Sequence, residues 1–189
     1  MVAEVGKNDM SYCADDENCP DGLMRVFARS TVALSLASTA RPDLPLVLVN
    51  EAFCKLTGYT PDQVLGCNCR FLQPDGGAGP VRERIREFLA DTGAGDARFV
   101  IPNVTRSGET FLNVVYMAKI RHERFTDYIL GSQFALRTGG EHAESYEQAL
   151  REDLTSLSNV LSESSWMLLG SMDAIANTSA LIARQSVSD

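Results

Sequence analysis

Apolar positions recur with two different periods along the chain, and the changes between them mark out its elements. In PDGLMRVFARS, Leu23, Val26 and Phe27 fall at helical spacing behind Asp21, a residue type that caps helix N-termini. A short helix is predicted there. From Thr31 to Ser38 the run TVALSLAS alternates, RPDLP turns the chain, and LVLVN is an apolar run of strand length, so a two-strand hairpin is expected. Helical signals follow. NEAFCKLTG starts on Asn50 and stops on Gly58, TPDQVLG opens with Thr60 and Pro61, and GPVRERIREFLA is a longer amphipathic segment. β-Branched and aromatic residues return from Ala97 in ARFVIPNVTR, ETFLNVVYMAKI and FTDYILGSQFAL, which reads as an antiparallel meander. Strands, then helices, then strands predict an α+β domain: a five-stranded antiparallel sheet with helices on one face.

The ends read differently. Residues 1–19 are acidic and poor in large apolar side chains, the composition of a mobile leader, so 1–30 is expected to hold a leader and a short cap helix. Residues 31–137 form the domain, and RTGGEH links it to an extension over 138–189. In that extension Leu150, Leu154, Leu157 and Leu161 keep a 4-3-4 spacing, and Leu168, Met172, Ile175 and Ile182 continue the stripe after SESS. Two amphipathic helices broken near Ser162 to Ser165 are predicted. Helices of this length are marginal alone, so the stripe must be covered. We expect a homodimer through the helical extensions, with packing on the domain's own sheet as the alternative.

Composition removes several classes of function. A net charge of -8 over 189 residues, with the arginines scattered singly or at helical spacing, disfavours nucleic acid as a partner. The sequence has no apolar run long enough to span a membrane, and its first residues are acidic and polar where a signal peptide would be basic and then apolar. A cytoplasmic protein is expected. Five cysteines, an odd number, make a poor disulfide framework, so free thiols are expected.

The densest chemistry lies in GCNCRFLQ, residues 66–73. Cys67 and Cys69 form C-x-C with no second pair except the remote Cys13 and Cys19, and His122 and His142 fall in a hairpin and a linker. That set does not make a metal site. Residues two apart face each other poorly, so a dithiol bridge would be strained, and neither histidine is placed as the base of a hydrolytic cysteine. Cys54 and Cys67 read most simply as small buried hydrophobes. Around Cys69 stand Asn68, Arg70 and Gln73; Arg86 lies on the next helix; Asn103, Asn113 and Gln133 each interrupt a different meander strand. Amides on the inner face of a sheet must be paired or each costs about 1–3 kcal/mol. Three of them with two arginines point to a buried, planar, polar ligand with a phosphate tail. For Arg86 the simpler alternative is a solvated ion pair with Glu83 or Glu87.

GCNCRFLQ resembles the flavin-binding signature of LOV domains, the blue-light-sensing branch of the PAS fold. NEAFCKLTGY, IPNVTRSGETFLNVV and YILGSQF resemble further LOV segments in order and spacing, and together they cover Thr31 to Leu136. The layout is similar to bacterial short LOV proteins. The resemblance implies an FMN cofactor, with Cys69 as the thiol that adds reversibly to flavin C4a after blue-light excitation and Asn68 beside it. It implies that Arg70 and Arg86 grip the phosphate, that Asn103 and Asn113 read the pyrimidine edge, and that Gln73 and Gln133 contact the ring system, Gln133 at O4 and N5. Signal would pass through the last strand to the C-terminal helices, and so to a dimer interface or a downstream signalling protein. The alternative is a flavin-binding PAS redox sensor without photochemistry. A flavoenzyme is disfavoured because no general acid-base set is evident. The sequence departs from the family at Leu112, where many members carry tryptophan, and in the glycine-rich PDGGAGP and ADTGAGDAR.

Overall fold

The structure is a computed structural model, which describes residues 11–13, 21–122, 125–136, 143–162 and 166–169. Five strands build the sheet: β2 (Ala33–Ser38), β3 (Leu46–Asn50), β4 (Asp96–Val104), β5 (Thr110–His122) and β6 (Phe125–Leu136). All neighbours are antiparallel in the order β3-β2-β6-β5-β4, so β6, the last of these five in the chain, lies at the centre of the sheet. A short strand β1 (Ser11–Cys13) pairs with Leu48–Asn50 on the outer edge of β3. Part of the expected leader is therefore strand, because the open edge of β3 offers unpaired backbone groups that a polar segment can satisfy as well as an apolar one. Residues 1–10 and 14–20 of that leader lie outside the described residues.

Between β3 and β4 come α2 (Glu51–Thr57), α3 (Pro61–Val64), a 3-10 turn (Cys69–Leu72) and α4 (Val81–Ala90). The signals for α2 act as expected: Asn50 Oδ1 accepts from Phe53 N at 3.0 Å, and Gly58 takes φ 77° at the C-cap. Asn50 does more than cap. Its Oδ1 also accepts from Leu34 N at 3.0 Å and its Nδ2 donates to Val32 O at 2.8 Å, all in a site 1% exposed. One amide thus joins α2 to β2. At the far end of this region Lys119 of β5 is buried and donates to Phe88 O at 2.7 Å and to Asp91 O, so a cation closes the carbonyl end of α4.

The two extensions take the opposite face. Helices α1 (Asp21–Arg29) and α5 (Ala143–Ser162) pack on Leu34, Leu36, Ala118, Ile120 and Leu130 of the sheet. The stripe Leu150, Leu154, Leu157 and Leu161 is at most 5% exposed. It meets α1 and the sheet of its own domain, where each leucine contributes roughly 1.5–3 kcal/mol by burial. The helices approach closely at Gly22: a Cβ there would stand 1.9 Å from Val160 Cγ1.

The second predicted helix does not begin where its stripe does. Trp166–Leu169 is a strand, β7, pairing with Lys119–His122 of β5. Strand β5 outruns β4 by these residues, and its exposed backbone groups hydrogen-bond WMLL, while Trp166 stacks on His122 at 4.7 Å. Met172, Ile175 and Ile182, like the linker 137–142 with its His142, lie outside the described residues.

Candidate functional site

Alternation along the strands sends every second side chain to the face covered by α2, α3 and α4. There the sheet and the segment 66–90 enclose a cleft of about 780 Å³, its mouth included. Seven of the eight predicted site residues line it: Asn68, Cys69, Arg70, Gln73, Asn103, Asn113 and Gln133. Its walls are otherwise apolar, with Ile101, Val115 and Ile129 from the sheet and Ile85 and Leu89 from α4.

Cys69 opens the 3-10 turn, and Asn68 caps it: Asn68 Oδ1 accepts from Arg70 N at 2.9 Å. The turn is tied back to β3 by Leu46 N donating to Cys67 O and Gly66 N donating to Leu46 O, both at 2.8 Å. Burial pushes the Cys69 thiol up to about 12, so it stays protonated at any working pH. Cys54 is raised to about 11, again chiefly by burial, and Cys67 is exposed. Cys67 is therefore not the small core residue its sequence context predicts, because it sits on the outer side of the turn that Cys69 lines from within.

At the mouth, the turn after β2 holds two successive non-glycine residues in the left-handed region, Asp43 at φ 71° and Leu44 at φ 51°. Each costs of order 1–3 kcal/mol. The Asp43 carbonyl accepts from Asn68 Nδ2 and its carboxylate pairs with Arg70, while Leu44 lines the cleft. Arg86 is the one predicted residue not brought in. It is exposed, paired with Glu83 at 3.5 Å, and lines a neighbouring cleft with Lys119 and Arg121 that shares Leu44, Leu89 and Ile129 with the first.

The three amides and Ser35 form a diagonal across four strands. Asn113 stands opposite Ile101 and Ala135, Asn103 opposite Phe111, Gln133 opposite Val115 and Ala33, and Ser35 opposite Gly131. Each step moves two residues along a strand and so stays on one face. Asn113 Nδ2 donates to Asn103 Oδ1 at 2.7 Å, and Asn113 Oδ1 accepts from Phe134 N at 3.1 Å. Gln133 Nε2 donates to Ser35 Oγ at 3.0 Å. Its Oε1 is buried with no hydrogen-bond partner among the described residues. Gly131 keeps this corner open, because a Cβ there would lie 2.8 Å from Ser35 Oγ and 3.0 Å from Gln133 Nε2. Ser35, Gly131 and Asp43 are absent from the sequence-based site. Only Ser35 carries a signal, a hydroxyl at an inward position of TVALSLAS.

The PAS domain family matches residues 35–135, more than half the chain. The crystal structure of the Rhodobacter sphaeroides LOV protein is similar at a TM-score of 0.74 and 31% identity, over 89% of this chain and 96% of that one. The chain belongs to the LOV family of PAS domains. Two blue-light-activated histidine kinases are also similar. That of Rhizobium johnstonii is 36% identical over 108 residues, 57% of this chain and 31% of the kinase; that of Erythrobacter litoralis is 35% identical over 137 residues, 69% and 37%. This LOV chain therefore spans about a third of the length of those relatives. Among its described residues no three His, Cys, Asp or Glu side chains converge as a metal site, and no helix is long and apolar enough to cross a membrane.

Proposed function

We propose that this chain is a blue-light photoreceptor module that holds FMN in the cleft and uses Cys69 as its reactive thiol. The observation that carries the reading is the pairing, in one cleft, of a half-buried neutral thiol with the orphaned Oε1 of Gln133. A flat ring with a polar edge fits this donor set: apolar walls for its faces, the Asn103–Asn113 pair for its pyrimidine edge, and Gln73 and Gln133 for the remaining ring heteroatoms. When bound, the flavin supplies blue-light absorption and, once excited, a ring carbon that takes up a thiol reversibly.

The chain's own part is positional. Asn68 fixes the turn that aims Cys69, and the raised pKa keeps the sulfur protonated, so that the thiol brings its own proton to the site. Gln133 can answer a new donor by rotating, since an amide offers an acceptor on one side and a donor on the other. We assign the phosphate to Arg70 and Arg86, whose planar forks suit bidentate contacts; Arg70 would exchange Asp43 for it and Arg86 would exchange Glu83. Signal leaves through β6 toward α5. An α5 released from the sheet would bare its leucine stripe to a second copy or to a downstream signalling protein in the cytoplasm.

Loading with FMN and illuminating with blue light tests the reading. Reversible bleaching is expected for the native chain, and a yellow but unbleachable protein for Cys69→Ala. A native chain that binds flavin yet never bleaches would instead be a flavin-dependent redox sensor.

A further inference from the structure

Gln133 is flanked in β6 by two residues that point the other way. Ser132 and Phe134 face the α5 side of the sheet, and one residue engages both of them. The Tyr146 hydroxyl shares a hydrogen bond of 2.7 Å with Ser132 Oγ, and its ring lies 4.6 Å from that of Phe134. Ser132 is fully buried and Tyr146 is 8% exposed. Tyr146 is the fourth residue of α5, so these contacts fasten its first turn directly behind the amide that faces the cleft.

The first turn differs from the rest of α5. From Leu150 onward the contact with the sheet is aliphatic packing, which is non-directional and tolerates small displacements. The polar contact of Asp153, which accepts from Ser30 Oγ at 2.6 Å, is to the end of α1 and not to the sheet. Around Tyr146 the interface is polar: Arg98 and Tyr116 are both its electrostatic neighbours, Arg98 lies over the Tyr116 ring at 5.7 Å, and the Tyr116 hydroxyl donates to Asp96 at 3.0 Å. A short O–H···O bond weakens steeply with distance and angle. Movement of the 133 peptide is shared by its covalent neighbours 132 and 134. The directional contact therefore yields before the aliphatic ones do.

We propose that Tyr146 is a positioning residue that reads the state of Gln133 through the thickness of the sheet, holding the first turn of α5 in the dark and releasing it when Gln133 turns over. The inference rests on the photoreceptor reading and names its output contact. The route crosses the sheet and does not depend on the chain connection between β6 and α5.

The test uses the full chain loaded with FMN, with hydrogen exchange of residues 145–150 followed in darkness and under blue light, and bleaching recorded on the same samples. The native chain should lose about tenfold protection in that segment on illumination. Tyr146→Phe keeps the ring on Phe134 and removes only the hydroxyl. It should bleach and recover as the native chain does, yet exchange in darkness at nearly the lit native rate, with little further change on illumination. Ser132→Ala removes the same bond from the strand and should behave alike, which guards against a variant that folds poorly. A merely structural role would speed exchange equally in both states and preserve the light-to-dark ratio. A preserved ratio in both variants would overturn the proposal while leaving the photoreceptor reading intact. A native chain that does not bleach would sink both.

Discussion

The two faces of the sheet are made by the same strands and carry opposite duties. Toward α1 and α5, β2, β5 and β6 present Leu34, Leu36, Ala118, Ile120 and Leu130, which meet the fully buried Leu150, Leu157 and Leu161. Toward the cleft they present Ser35, Asn113 and Gln133, with one buried acceptor left unpaired. A period of two lets one strand face both ways, so the stability carried by one face can offset the unpaired polar groups that the other keeps for a ligand. If that division holds, substitutions on the α5 side should change stability and spare the spectrum, and those on the cleft side should do the reverse.

The sharpest test is Leu157→Ala, in the middle of the aliphatic seam. A loss of about 2–5 kcal/mol in urea unfolding is expected, with the absorption of bound FMN unchanged in the folded fraction. A shifted flavin spectrum would show that the faces are not separable. Next comes Asn50→Ala, which removes the α2 cap and strands the Leu34 amide, for a loss of about 2 kcal/mol by the same measurement. Gln133→Leu is the counterpart on the cleft side. The variant loses the Nε2 bond to Ser35 but also removes the unpaired Oε1, and the two offset each other, so cofactor-free stability should stay within about 1 kcal/mol. Bleaching should persist, and the light-driven change in exchange over 145–150 should vanish.

The same division explains what the sequence made legible. Asn103, Asn113 and Gln133 stood out because an amide in an apolar strand run needs a partner, and that need is independent of register. Ser35 did not, because a hydroxyl can bond its own backbone and so gives no clear sign of a ligand. The leucine spacing of α5 defined a face but not what covers it, since amphipathy specifies an apolar stripe and says nothing of the partner. The close pass at Gly22 that lets α1 cover it is a property of packing. The strand Trp166–Leu169 was out of reach for another reason: four residues carry too little pattern to separate helix from strand, and the open end of β5 decided it. Arg86 could be placed on its helix from spacing, but which acid or anion it meets depends on side-chain reach.

The smallest expected effect lies on the stable face itself, at a carboxylate strongly perturbed by burial. Asp153 of α5 is partly buried and accepts from Ser30 Oγ at 2.6 Å, and burial, helped by Glu152, raises it to about 6 from an ordinary value of 3.8. The folded chain thus holds this proton to higher pH than the unfolded chain does. Stability contributed here is fully present below about 4, falls as pH rises through the window up to about 6, and is flat above it. Asp153→Asn keeps an acceptor for Ser30 and never ionises. Its advantage over the native chain should be near zero at pH 4 and greatest at pH 7, yet below about 1 kcal/mol because solvent screens a side chain this exposed. Paired urea titrations at the two pH values measure it. An advantage equal at both would mean that the carboxylate is as well accommodated charged as neutral, and that the α1–α5 seam is wetter at Asp153 than its leucines imply.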